Sequence, residues 1–147
     1  MSAIAHILDR NETGLVTVQL PNPAPGSPLA WNVPEYTNIL PISVRFLLTT
    51  SATVANRHVL ICGRRGGGLF CCSPAPALQL ASLGINYYFS NCVLGLDAQT
   101  DNDFQSGCLS QNFVLSHGEE LVINVFHLDG TDQISGTLLR YLQKMPR

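Results

Sequence analysis

Apolar residues along this chain recur in short alternating runs and almost nowhere at the spacing of a helix face. Ile42 to Thr50 is the clearest case: Ile42, Val44, Phe46 and Leu48 fall on one side of an extended chain, Ser43, Arg45 and Thr49 on the other. A period of two predicts a strand in a sheet with one buried face. Comparable runs predict strands over Leu15–Leu20, His58–Cys62, Leu69–Cys72, Ile85–Ser90, Cys92–Leu96, Phe113–Leu115, Leu121–Leu128 and Ile134–Leu142. Clusters of Gly, Pro, Asn, Asp and Ser separate them, as in all-β chains. Leu121–Leu128 is apolar on both faces apart from Asn124 and His127, which predicts a central position. Gly63–Gly68 reads as the turn of a hairpin between His58–Cys62 and Leu69–Cys72. The last three runs read as a meander, closed by a hairpin turn at Asp129-Gly130, residues suited to positive φ. About eight strands in one domain predict an antiparallel β-sandwich, jelly-roll-like.

The segment Pro21-Asn22-Pro23-Ala24-Pro25-Gly26-Ser27-Pro28 breaks the alternation. Proline lacks the ladder donor, so this stretch cannot be a central strand and is predicted to run extended as a semi-rigid arm or crossover. Residues 1–40 then hold an N-terminal strand and a proline-rich arm, part of the same domain as the sandwich body at 41–147. Pro23, Pro25 and Trp31 are interface candidates. A lone tryptophan beside prolines suits an anchor on a neighbouring subunit, or a cap on the open end of its own sandwich.

Composition adds one expectation about surfaces. Charged residues are 12% of the 147, against about 25% in ordinary domains. A monomer of this size needs charge to solvate its surface, so the shortage predicts surface covered by other subunits. The competing source of solvation is the chain's Ser, Thr, Asn and Gln. A net charge of −2 offers no basic field for nucleic acid. Met1–Arg10 lacks the basic start and apolar run of a signal peptide, and no run approaches the length of a membrane-spanning helix. The five cysteines, Cys62, Cys71, Cys72, Cys92 and Cys108, are an odd number in a chain without an export signal. That predicts reduced thiols.

Candidate chemistry is sparse. Arg64-Arg65 before Gly66-Gly67-Gly68 lacks the Gly-Lys-Ser/Thr ending of a phosphate loop and has too little charge for nucleic acid. It reads as a flexible hairpin tip, or as an interface candidate for an acidic patch on a neighbouring subunit. Asp97 to Asp103 spaces oxygen side chains as calcium loops do, without the loop glycine or the closing glutamate. The four histidines are scattered, and no nucleophile motif gathers them with a serine or cysteine. The expectation is a non-enzyme with no catalytic, cofactor-binding or metal site.

The stretch Arg45-Phe46-Leu47-Leu48-Thr49-Thr50-Ser51-Ala52-Thr53-Val54-Ala55-Asn56-Arg57 resembles the signature of small β-sandwich proteins encoded among the virion genes of tailed bacteriophages. That pattern ends in a glycine turn, a strand and a DGxxQ-S segment. Here these are Leu115-Ser116-His117-Gly118, Leu121–Leu128, and Asp129-Gly130-Thr131-Asp132-Gln133-Ile134-Ser135. The resemblance runs from about Pro41 to Leu142 and contains no catalytic motif. It implies a virion structural role, most simply a capsid decoration (cement) protein that strengthens the head lattice. The implied partners are the major capsid protein and copies of itself, trimers favoured, with no nucleic acid and no membrane. Assembly in the host cytoplasm follows. The alternatives are a head–tail connector or tail protein, and a carbohydrate-binding module of a host-recognition fibre. Within the shared motifs, Arg57 and Asp132 are predicted to pair and pin the two sheets at one end, with Asn56 capping its turn through its side-chain amide and Asp129-Gly130 forming the opposite turn.

Overall fold

In the computed structural model, the alternating runs become ten strands among the described residues, 13–91, 103–110 and 113–144. The expectations placed on Met1–Arg10, on a strand at Cys92–Leu96 and on most of the Asp97–Asp103 loop lie outside them. In chain order the strands are β1 (Thr13–Gln19), β2 (Leu29–Asn32), β3 (Asn38–Thr49), β4 (His58–Arg65) and β5 (Gly68–Pro74). They continue with β6 (Gly84–Ser90), β7 (Phe104–Cys108), β8 (Leu115–Ser116), β9 (Glu120–Phe126) and β10 (Gln133–Lys144). Two of them, β2 and β7, were not expected from the pattern.

The strands make two packed sheets. One has the order β1-β10-β3-β6-β7, with the short β8 pairing the start of β3; the other has the order β2-β9-β4-β5. Alternation decides which side chains enter the space between them. Val44, Phe46 and Leu48 of β3 are buried, whereas Arg45 and Thr49 are exposed. From β6 the buried set is Ile85, Tyr87 and Phe89, and the rings of Phe46 and Tyr87 stack with centroids 5.1 Å apart. Val59 and Ile61 of β4 and Leu121, Ile123 and Val125 of β9 enter from the opposite sheet. β9 lies between β2 and β4, a central position for a strand apolar on both faces.

Three expectations are corrected. First, β9 and β10 belong to different sheets, so Asp129-Gly130 is a crossover and not a hairpin turn, and the meander does not form. The residue with positive φ there is His127, at 61°, while Gly130 is not in the left-handed region. Second, the ladder is not wholly antiparallel, because β6 and β7 run parallel from Asn86–Phe104 to Ser90–Cys108. Third, the cysteines are not all thiols. A bulge, with Cys71 at a φ of 49°, sets Cys71 and Cys72 of β5 opposite the single Cys62 of β4, and Cys72 is joined to Cys62 in a disulfide. Cys108 is disulfide-bonded as well, and Cys71 is free and exposed. Among the described residues, three cysteines are therefore oxidised and one is a thiol.

The β10 strand carries a bulge between Ser135 and Leu138, where Gly136 takes a φ of 62°. Next to it the Thr137 hydroxyl is buried without a hydrogen-bond partner. Thr137→Val keeps the shape and removes the stranded polar group, so it is expected to raise stability by about 1 kcal/mol. A urea titration reads this as a higher midpoint at unchanged slope.

Candidate functional site: a buried polar knot where four crossovers meet

Four connections pass between the sheets at the same end of the sandwich: β1–β2, β3–β4, β5–β6 and β9–β10. Crossovers leave backbone polar groups without ladder partners, and each such group needs another. Arg57, fully buried at the entry to β4, supplies two of them and binds the acidic group that supplies others. Its Nε donates to Asp132 Oδ2 at 2.9 Å and one terminal nitrogen donates to Asp132 Oδ1 at 3.2 Å, a bidentate pair with no solvent on either side chain. The other terminal nitrogen donates to the Thr53 and Ala55 carbonyls, both at 2.9 Å. The last N–H reaches Ser51 Oγ at 3.2 Å. All five guanidinium donors are thereby occupied.

Asp132 is satisfied in the same way. Oδ1 accepts the Ser51 N–H at 2.8 Å and Oδ2 accepts the Asp129 N–H at 2.9 Å. Ser51 Oγ donates to Asp129 Oδ2 at 2.8 Å, and Thr131 Oγ1 donates to the same oxygen at 3.1 Å. The Asp132 carbonyl accepts the Gly26 N–H from the proline segment at 2.7 Å. The β5–β6 crossover joins through a backbone bridge between Arg57 and Gln79. Gln79 is itself buried, donating to the Leu48 and Leu83 carbonyls and accepting from the Tyr87 hydroxyl at 2.9 Å. One Arg–Asp pair and one glutamine thus tie all four crossovers together.

A buried charge pair of this kind costs desolvation, and complete hydrogen bonding is what offsets it. Burial pushes the Asp132 carboxyl up, but the Arg57 hydrogen bond, the Ser51 and Asp129 N–H groups and the Arg57 charge outweigh it and hold the group below the usual carboxylate range. Asp129 is also held low, chiefly by the Ser51 hydroxyl. Burial drives the Tyr87 phenol well above its ordinary value. The signs give a stability window. The two aspartates contribute stability that is fully present above their unfolded value of about 3.9 and is lost as pH falls through their lower folded values. Tyr87 contributes stability that is present below about pH 10 and declines above it, because the unfolded phenol ionises first. Melting temperatures between pH 2 and 11 should form a plateau with both shoulders. Asp132→Asn should flatten the acid one, and Tyr87→Phe the alkaline one.

Asn56 is exposed, and among the described residues its side chain makes no hydrogen bond; the turn it was expected to cap is held by Ser51 and Arg57 instead. The proline segment is the β1–β2 crossover and lies on its own molecule. The Pro23 carbonyl accepts from Gln133 Nε2 at 2.9 Å, and Asn22 Oδ1 accepts from the Gly136 N–H at 3.2 Å. Pro25 is exposed. Trp31 is half-buried, packed on the Tyr141 ring with centroids 5.6 Å apart, so it caps its own sandwich. The Arg64-Arg65 tip is neither flexible loop nor free cation. β4 and β5 continue to a two-residue turn with Gly66 and Gly67 at φ 54° and 87°, the mark of a type I′ hairpin. Arg64 pairs with Glu120 across the β4–β9 ladder and Arg65 with Glu119 just before β9, so each arginine has an acidic partner in its own chain.

Sequence reading missed Gln79, Tyr87 and Glu119. Glutamine and glutamate carry no local motif when buried, and the only available signal was the inward phase of Tyr87 in the Ile85–Phe89 alternation. Among the described residues no group of three or more His, Cys, Asp or Glu side chains is gathered to hold a metal ion. Comparison with known proteins returns no matching family model, no matching curated protein and no matching solved structure.

Proposed function

We propose that this chain is a structural protein of a tailed-bacteriophage virion, most simply a capsid decoration protein that stabilises the head lattice through intersubunit contacts. The observation that carries the reading is the fate of its shared motifs. The Ser51 and Asp129 side chains and the Thr53 carbonyl converge on the buried Arg57–Asp132 pair, and these hydrogen bonds are spent on the fold. A signature devoted to holding four crossovers suits a protein whose job is to keep its shape under load.

The strand order supports a jelly roll. An eight-strand hairpin rolled on itself pairs its first strand with its last and works inward. Here β1 pairs β10, β2 pairs β9, β3 pairs β6 and β4 pairs β5, and closure of the roll adds β10–β3 and β9–β4. That architecture recurs in viral capsid domains, among others. Fold alone does not assign function, and two surface features add to it. Val54, Leu80, Leu78 and Leu83 are 93%, 56%, 47% and 36% exposed on the β3–β4 and β5–β6 crossovers, where a docking contact would cover them. The Cys62–Cys72 disulfide suits a protein that works outside a reducing cytosol, as a released particle does.

Particles assembled without this protein should release their genome at lower temperature, and adding the purified protein back should restore resistance. A Leu80→Asp variant, folded but charged on the apolar crossover patch, should fail to restore it. Particles equally stable with and without the protein would overturn the decoration reading.

A further inference from the structure

We propose that the outer face of the β1-β10-β3-β6-β7 sheet carries a saccharide-binding groove. The inference is independent of any position on a particle. The groove lies along β3, β6 and β7, with a volume of about 520 Å³. Register places its side chains on one face. Tyr88 stands opposite Arg45 on one side and Ser106 on the other, and Asn86 stands opposite Leu47 and Phe104. Ser135 and Gly136, at the bulge of β10, form the far wall.

The chemistry is that of a sugar ring, which has an apolar C–H face and a rim of hydroxyls. Tyr88 and Phe104 are 40% and 37% exposed, two large rings on neighbouring strands with their inner neighbours buried. Around them stand Arg45, Asn86 and Asp103, all exposed. Among the described residues neither Arg45 nor Asp103 is in an ion pair. A cationic fork, an amide with both donor and acceptor, and a carboxylate acceptor together match a ring of hydroxyls, each of which both donates and accepts. A purely apolar partner would leave these three groups unpaired, and a strongly charged one would meet the wrong sign at either Arg45 or Asp103. The volume is in the range of small-ligand sites. Two other aromatics lie outside the groove: Trp31 is packed on Tyr141, and Tyr36 is stacked on His117.

The test is an array of immobilised oligosaccharides of glucose, galactose, mannose and N-acetylglucosamine, followed by calorimetric titration of the best binder. At least one should bind. Tyr88→Ala and Phe104→Ala should each weaken it about tenfold, the effect of losing one aromatic face. Asn86→Ala should weaken it too, and Tyr36→Ala should leave it unchanged. All four side chains are exposed, so melting temperatures report that each variant is folded. No binding to any of the four sugar classes overturns the proposal. Binding that survives both Tyr88→Ala and Phe104→Ala does so as well.

Discussion

Arg57→Ala is expected to lower stability by about 3–5 kcal/mol, the cost of removing one partner from a buried ion pair. The loss is large because Asp132 stays buried with its charge while two carbonyls, at Thr53 and Ala55, lose their donors. For a domain whose total stability is about 5–15 kcal/mol, the melting temperature should fall by roughly 10 °C or more. Asp132→Ala should be comparably damaging, since it strands the guanidinium together with the Ser51 and Asp129 N–H groups. In the double variant the second substitution should cost much less than it does alone, a coupling that independent exposed charges do not show. Arg57→Lys should not rescue, because an ammonium has no planar fork to serve a carboxylate and two carbonyls at once.

The second large effect is at Gly26. This residue holds a φ of 77° in the β1–β2 crossover, and a Cβ there would lie 2.7 Å from the Gly130 Cα and 3.0 Å from its carbonyl oxygen. The obstacle is backbone on the neighbouring crossover, which cannot swing aside like the end of a side chain. Gly26→Ala therefore combines a left-handed alanine with overpacking, for about 2–5 kcal/mol. It also separates the Gly26 N–H from the Asp132 carbonyl, loosening the knot. Gly130→Ala is the control. Its Cβ would meet nothing within 4 Å and its φ is not left-handed, so it should be near neutral. If Gly130→Ala proved the worse of the two, the packing of the proline crossover on the β9–β10 crossover would be wrong.

How far the sequence could be read follows from where its signals were local. Strands with a buried face showed as alternation, and Ile42–Thr50 announced β3 because tertiary packing and local pattern agree there. β2 is four residues long and follows four prolines, so no periodicity could accumulate. β7 is Phe-Gln-Ser-Gly-Cys, with the buried Gln105 and Gly107 in the inward positions, which inverts the apolar code. The Asp129-Gly130 dipeptide has the composition of a hairpin turn, and only the pairing of β10 with β1 and β3 shows that the chain changes sheets. The Arg57–Asp132 contact was legible because both residues sit in motifs with short polar neighbours at strand ends. Gln79 was not, since its partners are carbonyls whose positions no local pattern specifies. The Cys62–Cys72 bond was hidden for a different reason: parity of the cysteine count says nothing about a bulge that places two cysteines opposite one.

The proposed role as a lattice component is tested most directly by the copy number of this protein in purified particles. Quantitative mass spectrometry against the major capsid protein should return a ratio of the same order as that protein. A ratio one or two orders of magnitude lower would contradict the decoration reading and move the chain to the connector or tail, and its absence from the particle would contradict the virion reading altogether.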